Sequence, residues 1–263
     1  MRHSKRLIKL ATVATILKLL QINAISQTDE IQVYTGDLAN PGEVSLTLHN
    51  NYTISGQTSP SYPGAVVANH SLNGVPEFAY GLNAWCELGL YLPVYTITGN
   101  HNLYSESGKL RALFATPDAD KKNFFYGVNF ELSKNAVRWE DKKYSGEIRP
   151  IVGFRNQGIT YTINPIVDTG FDGLKKMDFA PCVRVSYDLS ELWTVAAEEY
   201  ADFGPLNNPY KASDQTHSLF LVLDRNSKYG FEVGIGHGLT NSSDKWVIKF
   251  MFNTLLSPSH NSK

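Results

Sequence analysis

Cysteine is almost missing: Cys86 and Cys182 are the only two among 263 residues, and neither stands at metal-ligand spacing from the other or from a histidine pair. Two cysteines leave room for one bridge but build no disulfide framework, so a small cross-linked scaffold is excluded and both read as packing residues. Basic tracts are lacking as well. Lys and Arg number 24 against 25 Asp and Glu, and five of the basic residues (Arg2, Lys5, Arg6, Lys9, Lys18) precede residue 27, where no acidic residue stands. Downstream, 19 basic residues face 25 acidic ones, a formal charge of −6, so nucleic acid is not a partner this composition supports. Beyond residue 26 no apolar run reaches the ~20 residues of a spanning helix, which excludes helical membrane insertion. Helical periodicity is scarce over the same length.

What is present begins with a leader. The basic start is followed by an apolar run, Leu10 to Leu20 with Lys18 inside it, and then by Ala24-Ile25-Ser26. That order predicts a signal peptide over 1–26 with cleavage before Gln27, and therefore export. Residues 27–42 end in a turn signal and read as an N-terminal segment, periplasmic or lumenal, ahead of the main array. The array occupies 43–253, and 254–263 reads as a tail.

Within the array, two-residue alternation dominates. In SGEIRPIVGFRNQGITYTINPIVD (145–168), Ile148, Pro150, Val152 and Phe154 alternate with Glu147, Arg149, Ile151 and Gly153. After a turn at Asn156-Gln157-Gly158, Ile159, Tyr161, Ile163, Pro165 and Val167 alternate with Thr160, Thr162, Asn164 and Asp168. Successive strand residues point to opposite faces, so one face is apolar and the other polar and charged. The same pattern predicts strands over 43–54, 77–85, 87–97, 108–116, 123–133, 145–155, 158–168, 178–188, 191–202, 214–225, 228–239 and 244–253. Most run about ten residues, the length of a tilted membrane strand and longer than the ~5–6 residues usual in soluble domains. Connections alternate long and short, with 55–76, 98–107, 134–144 and 203–213 the long ones. The fold class predicted is all-β: a transmembrane antiparallel β-barrel of twelve strands, with short periplasmic turns and longer extracellular loops. Tyr52, Phe78, Trp85, Tyr95, Phe124, Trp193 and Tyr229 stand near strand ends, where an aromatic girdle belongs.

On the polar face the candidate lumen residues are Glu87, Glu131, Glu147, Arg149, Asp168, Arg184, Glu198, Glu232 and Lys249. Charges enclosed there line a polar solute path or form ion pairs filling a narrow barrel, since an isolated buried charge is very costly. Val94 is expected on the lipid face with Leu88, Leu90 and Leu92. Loop 55–76 is the candidate outer gate. Lipid hydrolysis would need Ser and His within reach at the outer rim. His217 and Ser218 are adjacent, hence on opposite faces, which leaves His237 with Ser242 and Ser243, and no Asp or Asn of clear role. Gly234-Ile-Gly236-His-Gly238 lies inside a strand and is not a phosphate loop. No cofactor and no metal site is expected.

Several segments together resemble a known family: EIQVYTGDLANPGEVSLTLHNNYT (30–53), NGVPEFAYGLNAWCELGLYLPVY (73–95), FFYGVNFELS (124–133), DFAPCVRVSYDLS (178–190) and FEVGIGHGLT (231–240). They are similar to bacterial outer-membrane barrels of the MetA-pathway of phenol degradation family. The resemblance implies a Gram-negative outer membrane and uptake of small molecules, aromatic or hydrophobic ones among them. It carries no active-site motif. The expected role is a porin-like channel or facilitator, monomeric, with membrane lipid, the barrel-insertion machinery and a small solute as partners. The alternatives are a barrel-embedded lipid hydrolase and a non-conducting structural or adhesion barrel.

Overall fold

The computed structural model describes residues 30–227 and 229–257, so the leader read over 1–26 lies outside the described residues, as do 27–29 and 258–263. Sixteen strand segments form one sheet. They are β1 (Val44–Ser55), β2 (Leu72–Asn83), β3 (Cys86–Tyr91), β4 (Val94–Ile97), β5 (Leu103–Glu106), β6 (Gly108–Ala115), β7 (Phe124–Lys134) and β8 (Tyr144–Asn156). Then come β9 (Ile159–Asn164), β10 (Val167–Thr169), β11 (Asp178–Phe179), β12 (Cys182–Asp188), β13 (Trp193–Asp202), β14 (Thr216–Arg225), β15 (Tyr229–Gly238) and β16 (Trp246–Ser257).

Four consecutive pairs, β3 with β4, β5 with β6, β9 with β10 and β11 with β12, are single staves interrupted once. Pro93, Pro165 and Pro181 stand at three of those breaks, as expected of a residue that cannot donate to a ladder. The result is twelve antiparallel staves, and β1 pairs with both β2 and β16, so the sheet closes on itself. Closure removes every sheet edge. The hairpin from β8 to β9 turns at Gln157 (φ 49°) and Gly158 (φ 80°); two positive φ values in a two-residue loop match the right-handed twist of the flanking strands.

The pleat places the apolar residues outside. Leu48, Tyr80, Leu88, Leu90, Phe130, Val152, Ile163, Val185, Leu221, Ile235 and Ile248 are exposed on the barrel exterior, with Trp85, Phe124 and Tyr229 near its short-turn end. Buried apolar residues form only small clusters inside, such as Leu113, Phe125 and Ile151, or Ala196, Phe220, Val222 and Val247.

Some expectations are corrected. The second stave starts at Leu72, not 77, because Gly74 is a close-approach site rather than a loop residue: a Cβ there would stand 2.5 Å from the Tyr95 hydroxyl. The connection expected over 98–107 shrinks to 98–102, since Leu103–Glu106 pairs with Val94–Ile97. The last stave continues through Ser257, past the expected end at 253. Val94 points inward and is buried. Between the pairs Glu77↔Tyr91 and Gly74↔Tyr95 the β3–β4 stave carries one residue more than β2. That extra residue, at Leu92–Pro93, is a bulge that reverses the facing of everything after it.

A lipid-facing charge tests the arrangement. Leu221, mid-stave and 64% exposed, replaced by Arg should destabilise the barrel folded into phospholipid vesicles by about 2–4 kcal/mol. Leu221→Ala should cost far less, and equal losses in a denaturant titration would contradict an outward Leu221.

Candidate functional site

Inward-facing positions carry charge, and the charges are organised. Near β2, β3 and β6, Arg111 contacts Glu77 at 2.5 Å and also Glu87, while the His49 imidazole bonds Glu77 at 2.9 Å. On the neighbouring wall Arg149 grips Glu147 through both carboxylate oxygens, at 2.6 and 2.9 Å. Lys109 lies 3.4 Å from Glu30 and 3.3 Å from Glu131. Across the lumen Arg184 contacts Glu198, Asp224 and Glu232, and Lys249 stands 2.5 Å from both Glu198 and Glu232. Tyr200 donates its hydroxyl to Glu198 at 2.7 Å. The bidentate guanidinium geometry suits enclosed carboxylates because it satisfies two lone pairs at once.

All nine sequence-derived candidates face the interior. Glu87, Glu131, Arg149, Arg184, Glu198 and Lys249 are buried, whereas Glu147, Asp168 and Glu232 are half-buried. The structure divides them into two clusters. Asp168 stands apart: in register it continues a row Glu131↔Glu147↔Asp168↔Asp178 across four staves, with no cation paired to it among the described residues. The sequence reading missed Glu77, Lys109, Arg111, Asp224 and Glu30. Parity could have found the first four, since Lys109 and Arg111 alternate with outward Leu110 and Phe114. Nothing in the local sequence marks Glu30.

Glu30 belongs to a stretch that is not wall. From Gly42, whose N–H bonds the Gly81 carbonyl at 2.8 Å, the chain turns back into the lumen from the short-turn end. Gly81 is required there, because a Cβ would stand 2.2 Å from the Asn40 carbonyl oxygen. Further in, Ala39 N–H donates to Glu87 at 2.6 Å. The Asn164 side chain holds both polar groups of the Tyr34 backbone, at 2.7 and 3.0 Å. The Tyr34 hydroxyl meets that of Tyr91 at 2.7 Å, and the Arg149 guanidinium lies 4.4 Å over the Tyr34 ring. Arg149 and Lys249 also donate to the carbonyls of Gln32 and Ile31, at 3.1 and 3.3 Å. Residues 30–38 are thus clasped by wall side chains and occupy the middle of the lumen.

Toward the long-loop end lie cavities of about 570 and 200 Å³, which share Trp139, Ala180 and Asp202 in their linings. Loop 135–143 reaches into this mouth: Trp139 is buried and donates Nε1–H to Thr96 at 2.7 Å. Loop 56–71, within the expected gate, crosses to it through a bond from Val66 N–H to the Arg138 carbonyl at 3.0 Å. Beside Trp139, burial and then a hydrogen bond with Asp141 push the Glu140 carboxyl up to about 7.

The hydrolase arrangement does not assemble at the positions considered. His237 bonds the Lys245 carbonyl at 2.9 Å and packs at a tilt against the Trp246 ring, while the Ser243 hydroxyl is engaged by the backbone of His217. The His217 ring is held by Glu199 at 2.8 Å. Cys86 and Cys182 are free and buried. Among the described residues no three His, Cys, Asp or Glu side chains are placed to hold a metal ion.

No family model matches the chain, and no curated protein matches it in sequence. Solved structures do resemble it. The COG4313 outer membrane channel from Pseudomonas putida F1 aligns with a TM-score of 0.56 at 10% identity, over 86% of this chain and 100% of that one. KdgM porin, solved in complex with disordered oligogalacturonate, aligns with a TM-score of 0.49 at 8% identity, over 82% of this chain and 99% of that one. LpxR from Salmonella typhimurium aligns with a TM-score of 0.40 at 9% identity, over 80% and 99%. At such identities the likeness concerns the fold, a barrel shared with outer-membrane channels.

Two outcomes follow from the site. Arg149→Ala strands Glu147 and Glu30 without their guanidinium and should cost about 3–5 kcal/mol of stability; Arg149→Met with Glu147→Leu should cost clearly less, and denaturant unfolding of the two variants compares them. Glu140 holds its proton in the folded mouth to about pH 7. Because this value is raised above the ordinary carboxylate one, loop docking is strongest below the ordinary range and weakens as pH rises through about 7, levelling off above. The Trp139 contribution to fluorescence, taken as wild type minus Trp139→Phe, should shift to longer wavelength over that window. In Glu140→Gln the shift should vanish; its persistence would contradict the assignment.

Proposed function

We propose that this chain is an outer-membrane channel or facilitator for small molecules, closed in the described state by residues 30–38. The observation that carries the reading is a closed barrel with an apolar exterior, whose polar interior is blocked by a segment held through side chains rather than through the β-ladder. Such a segment can be released without opening the wall. The short-turn end then faces the periplasm and the long-loop end the exterior, as in bacterial outer-membrane barrels. Export through the leader, insertion by the barrel machinery and a monomeric state belong to the same proposal, and the resemblance of segments to the MetA-pathway family supports reading the solutes as small and partly aromatic. The nine candidate charges act in this reading as the wall of the path once the segment leaves, imposing a transverse field on what passes.

His237 and Ser243 are each bonded to other groups and not to one another, so neither gives an observation that favours lipid hydrolysis. A non-conducting barrel would keep residues 30–38 permanently in place.

Planar-bilayer recording separates these. The full chain should give small or infrequent conductance steps. Deleting residues 30–38 should give larger and persistent ones, together with faster solute entry into proteoliposomes. Silence in both proteins, with heat-modifiable gel mobility confirming folded barrels, would overturn the channel.

A further inference from the structure

The larger cavity, about 570 Å³, falls in the ~300–1,000 Å³ range of small-molecule sites. It is bordered by Glu30 and Ile31 of the lumenal segment, by Tyr62 of loop 56–71, and by Trp139, Tyr200 and Phe220 of the walls and mouth. Two polar groups on this border have no hydrogen-bond partner: Oε1 of Glu30, a wholly buried residue, and the hydroxyl of Tyr62, 9% exposed. Buried polar groups are nearly always satisfied, so an orphan acceptor and an orphan hydroxyl on one cavity point to something that fills it. Of the cations near Glu30, Lys109 pairs with the other oxygen, and Arg149 makes a long ion pair with Oε1 at 3.8 Å, too far for a hydrogen bond.

Charge decides what would fit. Four carboxylates border this chamber (Glu30, Asp202, Asp214, Asp244) against Arg138 alone, and Arg138 is engaged by Glu106 at 2.5 Å. The adjoining smaller cavity is lined by eight carboxylates and three lysines. A cleft lined by one sign of charge between low-dielectric walls concentrates the opposite ion. Both linings carry more carboxylates than cations and so favour a cationic solute over an anionic one. We propose that the larger chamber binds a small organic ammonium ion, its N–H donated to Glu30 Oε1 and its apolar or aromatic body lodged against Trp139 and Phe220. This names the solute class of the channel reading and rests on it, and the site is tested without conduction.

Three probes of matched size differ in charge: phenethylammonium, 2-phenylethanol and phenylacetate. Calorimetric titration of the detergent-solubilised full chain should show phenethylammonium binding about tenfold or more tighter than the alcohol, as a hydrogen bond to a charged partner predicts. Phenylacetate should not bind. Glu30→Gln should erase the preference for the ammonium by weakening it far more than the alcohol, and Tyr62→Phe should weaken the ammonium and the alcohol alike by a few-fold. Heat-modifiable mobility checks that each variant is folded. Equal affinities, a preference for phenylacetate, no binding of any probe, or a preference that survives Glu30→Gln would each overturn the site. Ammonium binding without bilayer conductance would sink the channel and spare the site. Conductance with no charge preference in binding would do the reverse.

Discussion

A charge enclosed in a narrow barrel has to be answered by other charges, and the rest of this structure follows from that constraint. Water hydrates lumen charges in a wide pore, but in a barrel of twelve staves the wall side chains reach toward one another. Arg184 and Lys249 share Glu198 and Glu232 across the staves, and Arg149 fills its fork with Glu147. Each such group would be severely destabilising alone and is tolerated only as part of its network. The networks leave carbonyl-seeking donors over, and the lumenal segment supplies the carbonyls of Gln32 and Ile31. Plug and network are therefore one electrostatic unit.

Energetically, wall and plug differ in kind. The wall closes on itself with every stave laddered to two neighbours, so it opens only as a whole. Residues 30–38 are held by individual side-chain bonds, each contributing a net ~0.5–1.5 kcal/mol, more where a charged group takes part. Their release returns the backbone freedom of nine residues, so the segment can leave while the wall stays laddered. Function in this account lives in that difference.

How much of this could be read beforehand depends on which physical signal carried it. The alternation around Ile148–Phe154 and Ile159–Val167 is a wall signal, because each lipid-facing residue must be apolar, and it located the staves and the inward charges. It failed where a local exception reverses the pleat: Val94 sits beyond the Leu92–Pro93 bulge, and alternation alone cannot count an extra residue. It failed again at Gly74, whose smallness serves Tyr95 rather than a loop. Glu30 and Tyr34 were illegible for a deeper reason. Their positions depend on partners 130 residues away, such as Asn164, and a segment without regular structure writes no period into the chain.

Backbone amide exchange in the folded, membrane-embedded protein tests the releasable plug most directly. The Tyr34 amide, bonded to the Asn164 side chain, should exchange far more slowly than a free peptide yet faster than wall amides such as Ile163 within β9, and together with Ala39 as one opening unit. Exchange of Tyr34 as slow as the wall would make the segment a permanent fixture. Exchange at the free-peptide rate would mean that it is not docked at all.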